Sequence, residues 1–150
     1  MPAKRKGPIP LSNLTYQSQY GLYQIHGPHY SYGSQVLLYI GQAWQQPFSI
    51  RILQHGWQHY ERSDEIYVFC GFFRDINGSM QMDAAIVNYI EQLLIYVHAP
   101  SANSQCILDP DVSSEKHEQL KKLRIFNWGN HGGLLPEVSG LRWLTSPPRL

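Results

Sequence analysis

The chain has 150 residues, 43% of them hydrophobic and 13% aromatic, which suffices for one compact core but not comfortably for two. Its 12 Lys and Arg against 11 Asp and Glu leave a formal charge of +1, which excludes a globally basic surface, so any nucleic-acid contact has to come from a local patch. Two cysteines without CxxC spacing, Cys70 and Cys106, suggest neither a zinc knuckle nor a disulfide scaffold and read as buried thiols in a reducing compartment.

The N-terminal "MPAKRKGPIPLSNL" has basic residues but no following apolar h-region, and no window approaches the roughly 18 apolar residues of a membrane span. A cytoplasmic protein with no membrane partner is expected. Residues 1–16, rich in Pro and basic side chains, read as a flexible arm, with 17–150 forming a single domain. Two stretches of the chain offer local positive charge: Lys4, Arg5 and Lys6 in the arm, and Lys121, Lys122 and Arg124 in the last third. Short charge runs are more often plain solvated surface.

"GLYQIHG" and "VLLYIGQA" read as paired antiparallel strands. The intervening "GPHYSYGSQ" is too long for a two-residue turn, and its Tyr30 and Tyr32 are expected to cover the hairpin. "PFSIRILQHGWQHY" places Ile50, Leu53 and Trp57 on one face of a short helix with Pro47 at its start, and Arg51 and His55, four apart, on another. Gly56 weakens that helix at its end. "EIYVFCGFF" is β-branched and aromatic almost throughout and reads as a well-covered strand.

"MDAAIVNYIEQLLIYVHAP" is the clearest helix, with Ile86, Ile90, Leu93, Leu94 and Val97 on one stripe and Pro100 after its end. Glu91 falls at the rim of that stripe, about 40° round from Val87. It can therefore be held in place while water reaches it. "SSEKHEQLKKLRIF" reads as a further helix with Ser113 or Ser114 as N-cap, and the Gly- and Pro-rich remainder as irregular. The expectation is an α+β fold: a small, three-stranded, mostly antiparallel sheet flanked by helices.

Gly21-Leu22-Tyr23 and Tyr39-Ile40-Gly41 resemble the paired motifs of the GIY-YIG nuclease superfamily, with Leu in place of the usual Ile. The resemblance extends to Arg51 on the helix after the second motif, to His55 one turn later as in restriction-endonuclease-like members, and to Glu91 followed by Pro100 and Asn103. It runs from Gly21 to Asn103, more than half of the chain. The segment between the tyrosines is longer than in compact members, and nothing downstream looks like a zinc finger or helix-turn-helix.

The resemblance implies a metal-dependent DNA endonuclease with Tyr23, Tyr39, Arg51, His55, Glu91 and Asn103 as its catalytic set. Phosphodiester hydrolysis needs a deprotonated water, neutralisation of phosphoryl charge and relief for the leaving oxygen. Glu91 is the sole carboxylate of the set and the expected ligand of Mg²⁺ or Mn²⁺. Arg51 suits phosphate stabilisation. Tyr23 is implied as general base, and its phenol, with an ordinary pKa near ~10, needs a nearby cation or His55 to ionise. Tyr39 would bond the water or the phosphate, and Asn103 would position the phosphate or hold Glu91. Gly21 and Gly41 let a substrate backbone approach, and Lys4, Arg5, Lys6, Lys121 and Lys122 are candidate DNA contacts.

The spacing of His55 and His59 lacks the Glu of a zinc-binding HExxH helix, and "FNWGNHGG" reads as a turn. Two other function classes stay open: a nucleic-acid-binding or interaction protein that keeps the fold without cutting, and a structure-selective repair nuclease. One active site cuts one strand per engagement, so double-strand cleavage requires a dimer or two visits.

Overall fold

The hairpin expected from the two apolar runs is present as β2 (Gly21–His29) and β3 (Gly33–Ala43) in a computed structural model that describes residues 2–14, 21–73, 83–104 and 114–145. Two further strands, β1 (Pro2–Pro10) and β4 (Tyr67–Phe73), extend it into an antiparallel run in the order β3-β2-β4-β1. β5 (Arg124–Gly129) then pairs parallel to β1, and β6 (Glu137–Ser139) antiparallel to β5. The α+β class is as expected, but the sheet has six strands rather than three.

The additional strands come from segments whose composition hides them. Pro2–Pro10 is not an arm: it pairs with β4 on one side and β5 on the other. Its prolines fall at the strand ends and beside the register shift between Lys6 and Ile9, where no ladder donor is required. The helix expected to run through "LKKLRIF" stops at Lys122, because the alternating Ile125, Asn127 and the strand that follows are claimed by the sheet. The Gly- and Pro-rich tail, expected to be irregular, holds β6 and a short helix, α4 (Gly140–Thr145).

Helices pack on both faces. α1 (Phe48–Gln54) lies with Leu11, Tyr23, Ile25, Ala43, Ile66, Val68 and Cys70. α2 (Ala84–His98) and α3 (Ser114–Lys122) cover the opposite face with Leu22, Ile40, Ile125 and Val138. α2 matches its predicted stripe: Ile90, Leu93, Leu94 and Val97 are buried, Asp83 caps its N-terminus by accepting from the Ile86 N–H at 2.9 Å, and Ala99 ends it in the left-handed region at φ 44° before Pro100. None of the described helices is long and apolar enough to cross a membrane.

α1 buries a different face from the one expected. Phe48 and Ile52, four apart, face the sheet, while Ile50 and Leu53 stay exposed. Phe48 wins because its ring fits edge-on against both Tyr23 and Phe72, at 6.4 and 5.6 Å between centroids. At the far end of the hairpin Tyr30 and Tyr32 are 102% and 72% exposed, so they do not cover it. Cys106 and the expected cap residue Ser113 lie outside the described residues, as does the Ser114 side chain.

Candidate active site at the edge of β3

The two motif tyrosines meet, though not as direct cross-strand partners. Tyr23 is paired with Gly41, and Tyr39 with Ile25, so the tyrosines sit on a diagonal of one face with ring centroids 6.0 Å apart. A β-bulge supplies the aim: Ile25 pairs with Tyr39 and His26 with Leu37, leaving Leu38 as the extra residue. Leu38 and Tyr39, adjacent in sequence, consequently both pack with the α1 layer. A bulge re-aims a side chain in this way and locally interrupts pairing.

Gly41 is required by its partner. A Cβ there would meet Tyr23 Cζ and Oη at 2.5 Å, so the absence of a side chain makes room for the phenol. Gly21 is filled from within the protein as well, since a Cβ on it would strike the Gly71 carbonyl. Neither glycine therefore offers the open backbone expected for substrate approach; both admit parts of the fold.

Arg51, from α1, donates from Nε to the Gln42 carbonyl at 3.3 Å, and among the described residues nothing engages its terminal amino groups. The side chain of the same Gln42 points to the other face of β3 and donates to Glu91 Oε2 at 2.7 Å, with Asn88 Oδ1 at 3.4 Å. Gln42 thus ties the arginine of one helix layer to the glutamate of the other across the edge strand. Sequence reasoning passed over it, although the period-2 rule puts it on the α2 face beside Ile40. His55 ends α1 as its C-cap, exposed, with its ring 5.7 Å from Tyr39. Trp57, also missed, lies 5.8 Å from Tyr39 on that side.

The electrostatics follow from this crowding. Burial pushes the Tyr23 phenol far above its ordinary pKa, Tyr39 and Glu91 add to the shift, and Arg51 opposes it. Burial and Glu91 also raise Tyr39. Burial pushes the Glu91 carboxyl up to about 7, against the pull of the Gln42 amide and Arg51. Desolvation, then Arg51, lowers His55. As folded, Tyr23 keeps its proton near neutrality, so the base role implied for it is opposed by its surroundings unless a cation is added. Among the described residues its hydroxyl, buried close to Tyr39, makes no hydrogen bond of good geometry, and Trp57 Nε1 is likewise buried without a partner. Two orphaned donors on rings that both neighbour Tyr39 call for an explanation such as a bound water, an ion or a chemical role.

Asn103 does something other than hold phosphate or Glu91. Its Oδ1 accepts from the Ile40 N–H and its Nδ2 donates to the Ile40 carbonyl, both at 2.9 Å, while the Ala102 N–H bonds the Leu38 carbonyl at 2.8 Å. The loop after α2 thereby stands in for a neighbouring strand along the open edge of β3. Asn103 is a positioning residue for the strand that carries Tyr39 and Gly41.

Of the two basic runs, the one at the end of α3 does not join the site. The backbone of Lys4, Arg5 and Lys6 is in β1, and their side chains lie outside the described residues. Lys121 and Lys122 end α3 near β5 and β6, at the sheet edge opposite β3, and Lys121 pairs with Glu118 at 3.2 Å.

A cavity of about 190 Å³ opens on the Glu91 side of the cluster, lined by Tyr39, Asn88, Glu91, Asn103 and Ser104 but not by Tyr23, Arg51 or His55. Among the described residues no three His, Cys, Asp or Glu side chains converge on one point, so a cation here would have a single protein carboxylate. Mg²⁺ accepts one or two carboxylates and keeps several waters. Glu91 fits that requirement, since a half-buried carboxylate that holds a proton up to about 7 gains when a cation replaces the proton. No protein-family model matches the chain, and no curated protein or solved structure matches it significantly.

Proposed function

We propose that the protein is a metal-dependent DNA endonuclease of the GIY-YIG type. The observation that carries this reading is the convergence of Tyr23, Tyr39, Arg51 and Glu91, from two strands and two helices, within electrostatic reach of one another at the edge of β3, with His55 beside Arg51 and Tyr39. The subset β3-β2-β4, with α1 between β3 and β4 in sequence and α2 after β4, supports the GIY-YIG fold.

In this reading a phosphodiester lies against the terminal amino groups of Arg51, whose planar fork matches phosphate oxygens and stays charged. The Tyr39 hydroxyl donates to the attacking water or to a phosphoryl oxygen. Tyr23, its hydroxyl free of any other partner, receives the proton of the water as its own phenolic proton passes towards the solvent side, where His55 is exposed and held neutral. Gln42 keeps Arg51 and Glu91 in register. Glu91 would hold Mg²⁺ or Mn²⁺, which when bound supplies positive charge against the phosphoryl oxygens and favours ionisation of nearby phenol and water.

One observation favours the second reading, a nucleic-acid-binding protein without cleavage: the strongly raised Tyr23 phenol. Supercoiled plasmid incubated with Mg²⁺ separates the two. Nicking that stops with EDTA and in both Glu91→Ala and Arg51→Ala supports the nuclease. Equal activity in wild type and variants would sink the site, and no cleavage of plasmid, branched or single-stranded DNA leaves the binding protein.

A further inference from the structure

A path of aromatic rings leads from the candidate site to the tip of the β2–β3 hairpin. Trp57, beside Tyr39, lies 5.8 Å from Tyr60 between centroids. Tyr60 shares a cavity of about 510 Å³ with His29, Tyr30 and Arg62. His29 stacks on Tyr32 at 4.5 Å with 27° between the ring planes. Tyr60, Tyr30 and Tyr32 are all exposed, so the path presents ring faces to solvent.

Charge around the rings separates the partners such a path could take. Arg62 is paired with Glu65 at 2.5 Å, and Glu61 stands beside it, so the path offers little net positive charge. Duplex DNA, whose affinity comes chiefly from neutralised phosphates, is poorly served by it. Unpaired bases are well served, because every base has a π face and stacks on aromatic side chains whatever its identity. The six residue steps from Gly33 to Tyr39 along β3 cover roughly 20 Å at ~3.3 Å each. That is the length of about six nucleotides at a stacked rise of ~3.4 Å. A single strand lying on the rings would reach the Tyr39 cluster with its backbone.

We propose that Tyr60, His29, Tyr32 and Tyr30 form a stacking platform for unpaired nucleotides, which makes the substrate class DNA with a single-stranded portion such as an overhang, flap or bubble. The location of the cut rests on the endonuclease reading; the binding does not.

Fluorescence anisotropy with the full chain in EDTA, where nothing is cut, tests it on labelled oligothymidylates of rising length up to about 12 nucleotides. Affinity should rise to about six nucleotides and then level, and exceed that for an equally long duplex by about tenfold or more. Tyr30→Ala combined with Tyr32→Ala should weaken single-strand binding by about tenfold or more, while the corresponding double change to Phe retains it. Both tyrosines are exposed, so circular dichroism should be unchanged. Equal affinity for an abasic strand, indifference to the alanine changes, or no single-strand binding at all would overturn the platform, the last leaving a protein partner for the rings. Ring-dependent binding without cleavage of plasmid, branched or single-stranded DNA would sink the nuclease reading alone, and cleavage with ring-independent binding would sink the platform alone.

Discussion

At the scale of single residues, Tyr23 and Glu91 are held in protonation states set by burial, and each can be tested apart from folding. The Tyr23 hydroxyl is buried without a hydrogen bond, and an unsatisfied buried group costs about 1–3 kcal/mol. Tyr23→Phe is therefore expected to leave the thermal midpoint unchanged or raise it, while plasmid nicking falls by about 100-fold or more. A large loss of stability instead would show that the hydroxyl is structural. Glu91 is raised from 4.5 to about 7, so the folded chain holds a proton that the unfolded chain releases. Its contribution is fully present below about pH 4.5 and lost as pH rises through about 7, a span of order 3 kcal/mol at about 1.4 kcal/mol per unit. Urea titrations without metal should show stability falling across that window relative to Glu91→Gln, which has no such titration. Parallel curves for the two proteins would refute the shift. The candidate residues were singled out by the resemblance of their motifs, and local pattern placed them correctly, with Tyr23 and Tyr39 on strands and Arg51 and Glu91 on helices. Gln42 was not singled out, because an uncharged amide signals nothing until its two partners, from separate helices, are seen around it.

At the scale of elements, the edge of β3 decides whether the site holds together. The Asn103 side chain makes two hydrogen bonds to Ile40, next to both Tyr39 and Gly41. Asn103→Ala should cost about 1–3 kcal/mol and speed exchange of the Ile40 amide in hydrogen-exchange mass spectrometry. Protection at Ile40 equal to wild type would deny the amide this positioning role. α2 was readable from its stripe because fifteen residues give the 3.6-residue period several turns to declare itself. α1, with seven residues, has apolar side chains all round, and only the fit of Phe48 against Tyr23 and Phe72 selects its buried face.

At the scale of the whole molecule, the N-terminal segment is the test of the architecture. β1 joins β4 to β5 within the sheet, so removal of residues 2–10 would expose two strand edges and detach β5 and β6 from the antiparallel half. The truncated chain should lose its cooperative thermal transition or aggregate, as measured by calorimetry and light scattering. An unchanged transition would restore the arm that composition suggests.

The amino-acid sequence by itself determined the α+β class, the β2–β3 hairpin, and the α2 stripe with Glu91 at its rim. These rest on periodicity and side-chain chemistry, which act within a dozen residues. Only the tertiary structure decided that a Pro-rich, basic N-terminus is an interior strand, that Asn103 braces a strand edge, that Gly21 and Gly41 make room for the protein's own groups, and that Tyr30 and Tyr32 face solvent. Each of those depends on which distant segment arrives alongside, as β5 does beside β1, and no local pattern encodes the neighbour.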